Sequence, residues 1–562
     1  MAKLKFFLIL LSLFLILILN YGIYIGKFNP LFILLWMTSL ILFILPFVSE
    51  ILPNIKPLKL SKNTFFITLV LLFPSIVRIL SYQKYRFHQD DMISAYFSAK
   101  YDLASTNFFG AIPIDSRDWV SQFSAVYHYL QKIFFMIFGE SLMSVKLSTI
   151  PYVIITSFFL YLTVKLLFNR RTAIVSLILY TFFPVSLYHE TLGLHLNAST
   201  TVFAAFFFFL LLYLKNRKKI YSILTGISCS FCFLFYTSSF IALPIMILFL
   251  SLDFLIRRER YIFVNLILTI FTFLLSFSPF LTYMYQTKNY YPVQRLSYSN
   301  LLTGKSSDIK ERIKKGESAI QIIKKNFTST IKSIFIQGMR GHGGYNFGER
   351  LAFFEKTSLI FFLLGGFLSF LSLLFLKSRV ELFVTYIVVV STFLGVVFTN
   401  MPPAFHRLLV AVPSLVILSS VPFYFLHLIF KKNDLMWIFV TILTLGIYSL
   451  SNYNYFLKST ELEKDKPEFK MGYYITNNYP DRKVYVAAYT THALQKIFYF
   501  FESKNMKKAE VDYHDSLLER FNPSEKYVYA IIFPDSFNKI FEEKDKRGRI
   551  INFSQDYSLF VN

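Results

Sequence analysis

The sequence predicts an all-α polytopic membrane protein of about 13 transmembrane helices, with extracytoplasmic amphipathic helices and a small C-terminal α/β domain. Two observations predict it. Of the 562 residues, 55% are hydrophobic and 19% aromatic, and the mean hydropathy is +0.50. That is too apolar and too long for one soluble core. Hydrophobic runs of roughly 20 residues also recur, each long enough to cross a hydrocarbon layer of about 30 Å.

The spans fall near 5–25, 31–52, 64–82, 143–168, 172–188, 197–214, 220–237, 239–256, 262–284, 357–376, 380–399, 408–430 and 435–454, give or take about two to four residues at each end. The N-terminal stretch, Lys3 and Lys5 before Phe6–Leu19, has the outline of a signal peptide but no small-residue cleavage site, so it reads as a retained first span.

The net charge of +25 does not mean nucleic acid, because of where it sits. Lys215, Arg217, Lys218 and Lys219 follow one span, and Arg257, Arg258 and Arg260 follow another. The pairs Arg170–Arg171, Lys377–Arg379 and Lys431–Lys432 repeat the pattern. These are cytoplasmic clusters of the positive-inside kind, and they also meet anionic lipid headgroups. With the N-terminus cytoplasmic, the strong clusters between spans fall inside, including Lys56, Lys59 and Lys62. The expected location is the plasma membrane, multi-pass, with the C-terminal domain outside the cytoplasm.

The division that follows is 1–83 for the N-terminal helices, 84–454 for the main membrane domain and 455–562 for the C-terminal domain. Outer loops run over about 84–142 and 285–356 within the membrane domain. In the first loop Val126, Leu130, Ile133 and Phe134 recur at helical spacing, as in a helix lying in the interface plane. The tail changes period. Val484–Ala488 and Tyr527–Ile532 read as strands, and Thr490–Glu502 as a helix. Cys229 and Cys232 lie in an apolar span and read as buried thiols; a redox pair would sit in a βαβ unit.

The unusual polar residues gather on the outer side. His88-Gln89-Asp90-Asp91 follows the third span, where carboxylates are functional-site candidates by default. Asp90 or Asp91 can act as a base on a hydroxyl, and Lys84 and Arg86 stand just before them. His189 and Glu190 share a short outer loop with His195 and Asn197, either facing Asp90 across a cavity or solvating a helix end. His406 and Arg407 open a span containing Pro413; an arginine there binds a phosphate or snorkels to lipid. The glycine-rich run 338–350 carries Arg340 and His342, and it reads either as a backbone cradle for a ligand or as a flexible loop.

These residues resemble a family. His88-Gln89-Asp90-Asp91-Met92, followed by Ala95 and Ala99, is similar to the first-loop H-x-D-E-A pattern of the C-type (multi-span) glycosyltransferases. Those enzymes include the dolichyl-phosphate-mannose protein mannosyltransferases and the lipid A aminoarabinose transferases. Tyr127–Leu130, Phe138-Gly139-Glu140-Ser141 and Lys146-Leu147-Ser148 resemble their next stretch, with Lys146 in place of Arg and Ser148 in place of Pro. Asn346–Arg350 resembles a degraded outer-loop motif, and His406–Pro413 resembles their R-Y-L-L-P-A-L-P span.

The resemblance implies a polyprenyl-phosphate-sugar donor lipid, a glycan, lipid or protein acceptor, and a single inverting displacement. Asp90 would be the base, with Asp91 where Glu is usual. Arg407 would meet the leaving phosphate, with His406, Arg340, Lys84 and Arg86 behind it, and Glu190 would hold a sugar hydroxyl. No cofactor is firmly implied; the Asp/His/Glu set leaves a divalent cation open without defining a metal site. The rival class is a polyprenyl-lipid flippase or transporter. It predicts inverted repeats and midplane polar sites, and neither is visible in the sequence.

Overall fold

Each apolar run folds as a helix because a backbone in lipid must satisfy its own hydrogen bonds. The computed structural model describes residues 2–50, 62–113, 122–194, 196–303, 307–338, 351–375, 380–399, 402, 404–461, 465–487, 494–512, 525–532 and 548–562. Among these, nine helices are long and apolar enough to cross a membrane. A tenth candidate is a bent pair, Arg170–Thr181 and Pro184–Glu190, turned by 59°. Three shorter apolar helices, Thr64–Leu80, Lys219–Leu234 and Leu382–Val397, occupy further expected positions. Length and composition therefore establish ten of the expected thirteen crossings at most.

Small and polar side chains let the helices approach. Ser222 Oγ lies 2.7 Å from Thr269 Oγ1, and Ser276 donates to Ser230 at 2.6 Å. A side chain at Gly226 would collide with Thr272 and with the carbonyl of Thr269, so glycine is required at this crossing. Trp36 donates to the Ser276 carbonyl at 3.0 Å and packs among Phe108, Phe109, Phe231 and Phe280. Cys229 and Cys232 are buried and unbridged, as expected of core thiols.

The first outer loop forms the helix Gln89–Lys100, a short ribbon of β1 (Ala111–Pro113) against β2 (Gln122–Ser124), and the helix Ala125–Phe138. In the latter, Val126, Tyr127, His128, Gln131 and Phe135 face the protein. Leu130, Ile133, Met136, Ile137 and Phe138 are left exposed, the face a lipid would cover.

The tail carries the helix Pro467–Asn478 and a sheet of β3 (Lys483–Ala487), β4 (Glu510–Asp512), β5 (Tyr527–Ile532), β6 (Arg549–Ser554) and β7 (Tyr557–Val561). Its strand order is β4-β3-β5-β7-β6. β3 is parallel to β4 and β5, and β5–β7–β6 are antiparallel. β5 is buried along its whole length, as its unbroken apolar sequence requires of a central strand. Of the expected helix Thr490–Glu502, Leu494–Phe498 is helical and the helix ends there; 488–493 lie outside the described residues.

Candidate active site

The helix Gln89–Lys100 starts at an extended His88. The His88 ring Nδ1 accepts from the Asp90 N–H at 3.1 Å, and Asp91 Oδ2 accepts from the His88 N–H at 3.1 Å. This reciprocal cap satisfies two otherwise orphaned donors, and the acidic first turn suits the positive end of the helix dipole. It also divides the acidic pair. Asp91 is fully buried in the cap, whereas Asp90 is half-buried. Burial pushes the Asp91 carboxyl up to about 8; the His88 N–H, Arg86 and Lys466 pull it down, and Asp90 pushes it up. Asp91 therefore caps the helix through Oδ2, where the sequence offered it beside Asp90 as a base.

Glu190 is not turned toward the acidic pair. The break at Phe183-Pro184 bends the chain so that Glu190 meets Arg78, with Arg78 Nη2 to Glu190 Oε2 at 2.8 Å. Tyr180 donates to the other carboxylate oxygen at 2.6 Å. Arg78 also donates to the carbonyls of Tyr180 and Thr181. Both partners are buried, so this is an interhelical lock, and the sugar-holding role read for Glu190 gives way to it.

Arg86 is buried and ties the same region down. It donates to Thr191 Oγ1 at 2.8 Å and to the Tyr188 carbonyl at 2.9 Å, and it lies over the Tyr188 ring. Lys84 sits 4.0 Å from the Tyr473 ring centroid, a contact to the C-terminal domain. His189 is buried with Nδ1 2.9 Å from the Val185 carbonyl one turn earlier.

Four of the expected residues do converge. His406 is faced by Arg407, His189, His88 and, unforeseen, Arg295. His406 Nε2 lies 3.1 Å from the Tyr236 hydroxyl. Arg295 stacks over Phe123 at 4.2 Å, and Phe123 stacks on Tyr236. His406 and Arg407 are set by a 3₁₀ turn, Phe405–Ala411, which becomes α-helix at Val412 with Pro413 in its first turn. Proline is tolerated there because its missing N–H has no helical acceptor to lose.

Arg407 lines a groove of about 480 Å³ walled by Phe233, Phe240, Ile241, Leu296, Val396 and Phe398. Among the described residues it is the only charged group in that lining. Tyr236, Arg295 and Phe123 were missed because isolated aromatics and one loop arginine carry no spacing signal. Arg340, His342 and His195 lie outside the described residues. Among those described, no three His, Cys, Asp or Glu side chains come together as a cation site, and Glu190 is engaged by Arg78.

Residues 124–283 match the family described as dolichyl-phosphate-mannose-protein mannosyltransferase. The structure superposes on ArnT from Cupriavidus metallidurans bound to undecaprenyl phosphate with a TM-score of 0.56 and 10% identity, over 89% of this chain and 98% of that one. The chain shares the fold of ArnT. Apo ArnT from the same organism superposes at 0.51, also with 10% identity and coverages of 89% and 98%. Archaeal AglB from Archaeoglobus fulgidus gives 0.48 at 14% identity over 87% of this chain and 73% of that one. No curated protein matches the sequence. The segment matched to the mannosyltransferase family contains Tyr236 and Glu190 but neither Asp90 nor Arg407.

Proposed function

We propose that the protein transfers a sugar from a polyprenyl-phosphate donor to an acceptor hydroxyl outside the cytoplasm, with its N-terminus cytoplasmic and its C-terminal domain, from about residue 455, on the acceptor side. The observation that carries this reading is the groove ending at Arg407. An apolar trough with a single cation suits a lipid whose only charge is a phosphate. The relative bound to undecaprenyl phosphate supports the same donor class.

In this reading the isoprenoid lies in the groove, the phosphate meets Arg407, and the sugar extends toward His88 and Asp90. Asp90 takes the proton of the acceptor hydroxyl as its oxygen attacks the anomeric carbon. The bond to the phosphate oxygen breaks on the opposite face, which inverts the configuration through an oxocarbenium-like transition state. Negative charge grows on the departing phosphate, and Arg407, helped by Arg295, stabilises it. His406, held by Tyr236, stands beside Arg407 in the chain.

The test is loss of label from a radiolabelled polyprenyl-phosphate sugar, with wild type beside Asp90→Asn in detergent. Release by wild type, with a loss of about 10² to 10⁴-fold in the variant, is expected. Saturable lipid binding with no release by either protein would favour a flippase, which a liposome translocation assay would reveal.

A further inference from the structure

The far end of the Asp90 helix meets the C-terminal domain at a joint that the transfer reaction above leaves unused. Tyr96 and Tyr499 pack edge to face, with centroids 5.3 Å apart. The Tyr499 hydroxyl donates to Glu140 Oε2 at 2.6 Å, which fixes the ring. Glu140 Oε1 is bridged by Lys132 at 3.2 Å. Burial alone would raise the Glu140 carboxyl, but Tyr499 and Lys132 outweigh it and hold the group below the ordinary carboxylate range.

Lysines from separate segments surround these rings. Lys100 Nζ lies 4.6 Å from the Tyr499 centroid, Lys507 at 5.4 Å, and Lys496 lies 5.7 Å from Phe97. With Lys132, four lysines stand near two carboxylates among the described residues, Glu140 and Asp102, the latter acting on Lys132. Glu502 acts on the ring of Tyr473 instead. Lys100 and Lys507 are exposed, and Tyr96, Phe97 and Tyr499 are half-buried, so cations and ring edges are both open to a ligand.

We propose that this joint binds a polyanionic glycan. The open edges of immobilised aromatic rings give a chain apolar contact, and lysines act as hydrated point charges toward phosphate or carboxylate groups spaced along it. Tyr96 lies six residues from Asp90 and Lys100 ten, about 9 and 15 Å along the helix axis. A glycan of a few units seated on the joint therefore reaches Asp90. On the transferase reading this glycan is the acceptor, and that assignment rests on the reading; the binding itself does not.

The test uses the full-length protein in nanodiscs of neutral phosphatidylcholine and fluorescent poly(glycerol phosphate) as probe. Polygalacturonate and dextran serve as comparison chains. Saturable, salt-sensitive binding of one or both polyanions but not of dextran is expected, and the tighter of the two names the anion. Lys100→Glu/Lys507→Glu should weaken it by about tenfold or more, and Lys100→Gln/Lys507→Gln by less. Lys431→Glu/Lys432→Glu, remote from the joint, should leave it unchanged.

Equal binding of dextran, no binding by wild type, or an unaffected Lys100/Lys507 variant would overturn the proposal. Displacement of the probe by phosphatidylglycerol would also overturn it and assign the lysines to lipid headgroups. Because no turnover is measured, failure here leaves the Asp90 assay standing, and failure of that assay leaves this site standing.

Discussion

Asp90 and Asp91 are neighbours in sequence but sit in different surroundings, one half-buried and one buried in the helix cap, and one substitution at each probes the difference. Asn at 91 can still accept from the His88 N–H, so the helix should keep its cap. The carboxyl it replaces has its pKa raised by burial to about 8, against an ordinary value of about 3.9. Between those values the native state holds the proton more tightly than the unfolded chain. Its contribution to stability is full below about pH 4 and fades as the pH rises toward 8. The melting temperature of Asp91→Asn minus that of wild type should therefore climb between pH 5 and 9, and parallel melting curves would refute the assignment. Arg407→Ala should weaken donor-lipid binding by about tenfold or more, as loss of a charge-assisted contact costs about 1.5–3 kcal/mol. Asp90→Asn should bind the donor like wild type. Lipid titration of the two variants settles whether the phosphate rests on Arg407.

At the scale of elements, the Arg78–Glu190 lock joins the third apolar helix to the broken one, with no exposed atom on the arginine. Removing one partner strands a buried charge, at a cost of about 3–5 kcal/mol. Arg78→Met or Glu190→Leu alone should sharply lower the melting temperature in detergent, while the double substitution should recover much of the loss. A double variant as unstable as the sum of the singles would show that the two charges do not act as a pair. The apolar runs were legible in the sequence because lipid demands about 20 consecutive apolar residues. The lock left one signal that went unread: Arg78 is an ionisable residue within a span and so calls for a partner. Its partner was not legible, because the bend at Pro184 that delivers Glu190 is a property of three dimensions. The site shows the same division. His88–Asp91 and His406–Arg407 stand out as short polar runs, whereas Tyr236 and Arg295 reach the site only through packing. In the tail, β5 was legible from its unbroken apolar run, but β6 and β7 are short and mix polar with apolar residues.

For the whole molecule, the question is why the C-terminal domain should matter to chemistry at the membrane surface. The segment leading to Asp90 is gripped by the tail residue by residue. Gln83 donates to Thr460 at 2.9 Å, Tyr85 pairs with Asp465 in a parallel bridge, and Phe87 stacks on Phe469 with centroids 4.5 Å apart. Lys466, next in that register, adds its charge to the field at Asp91. From the other side Lys146 lies over the Phe87 ring and donates to the Gln83 carbonyl. A carboxylate held this way is placed by two domains at once, and catalytic geometry tolerates little displacement. Phe469→Ala removes the stacking contact, worth about 0.5–1.5 kcal/mol beyond its buried area, without touching the Arg407 groove. It should lower kcat by about tenfold or more while donor affinity stays at the wild-type level, and Phe469→Tyr should restore turnover. A parallel fall in donor affinity would mean that the tail supports the membrane domain as a whole. Unchanged turnover would mean that the first-loop helix holds Asp90 in place without it.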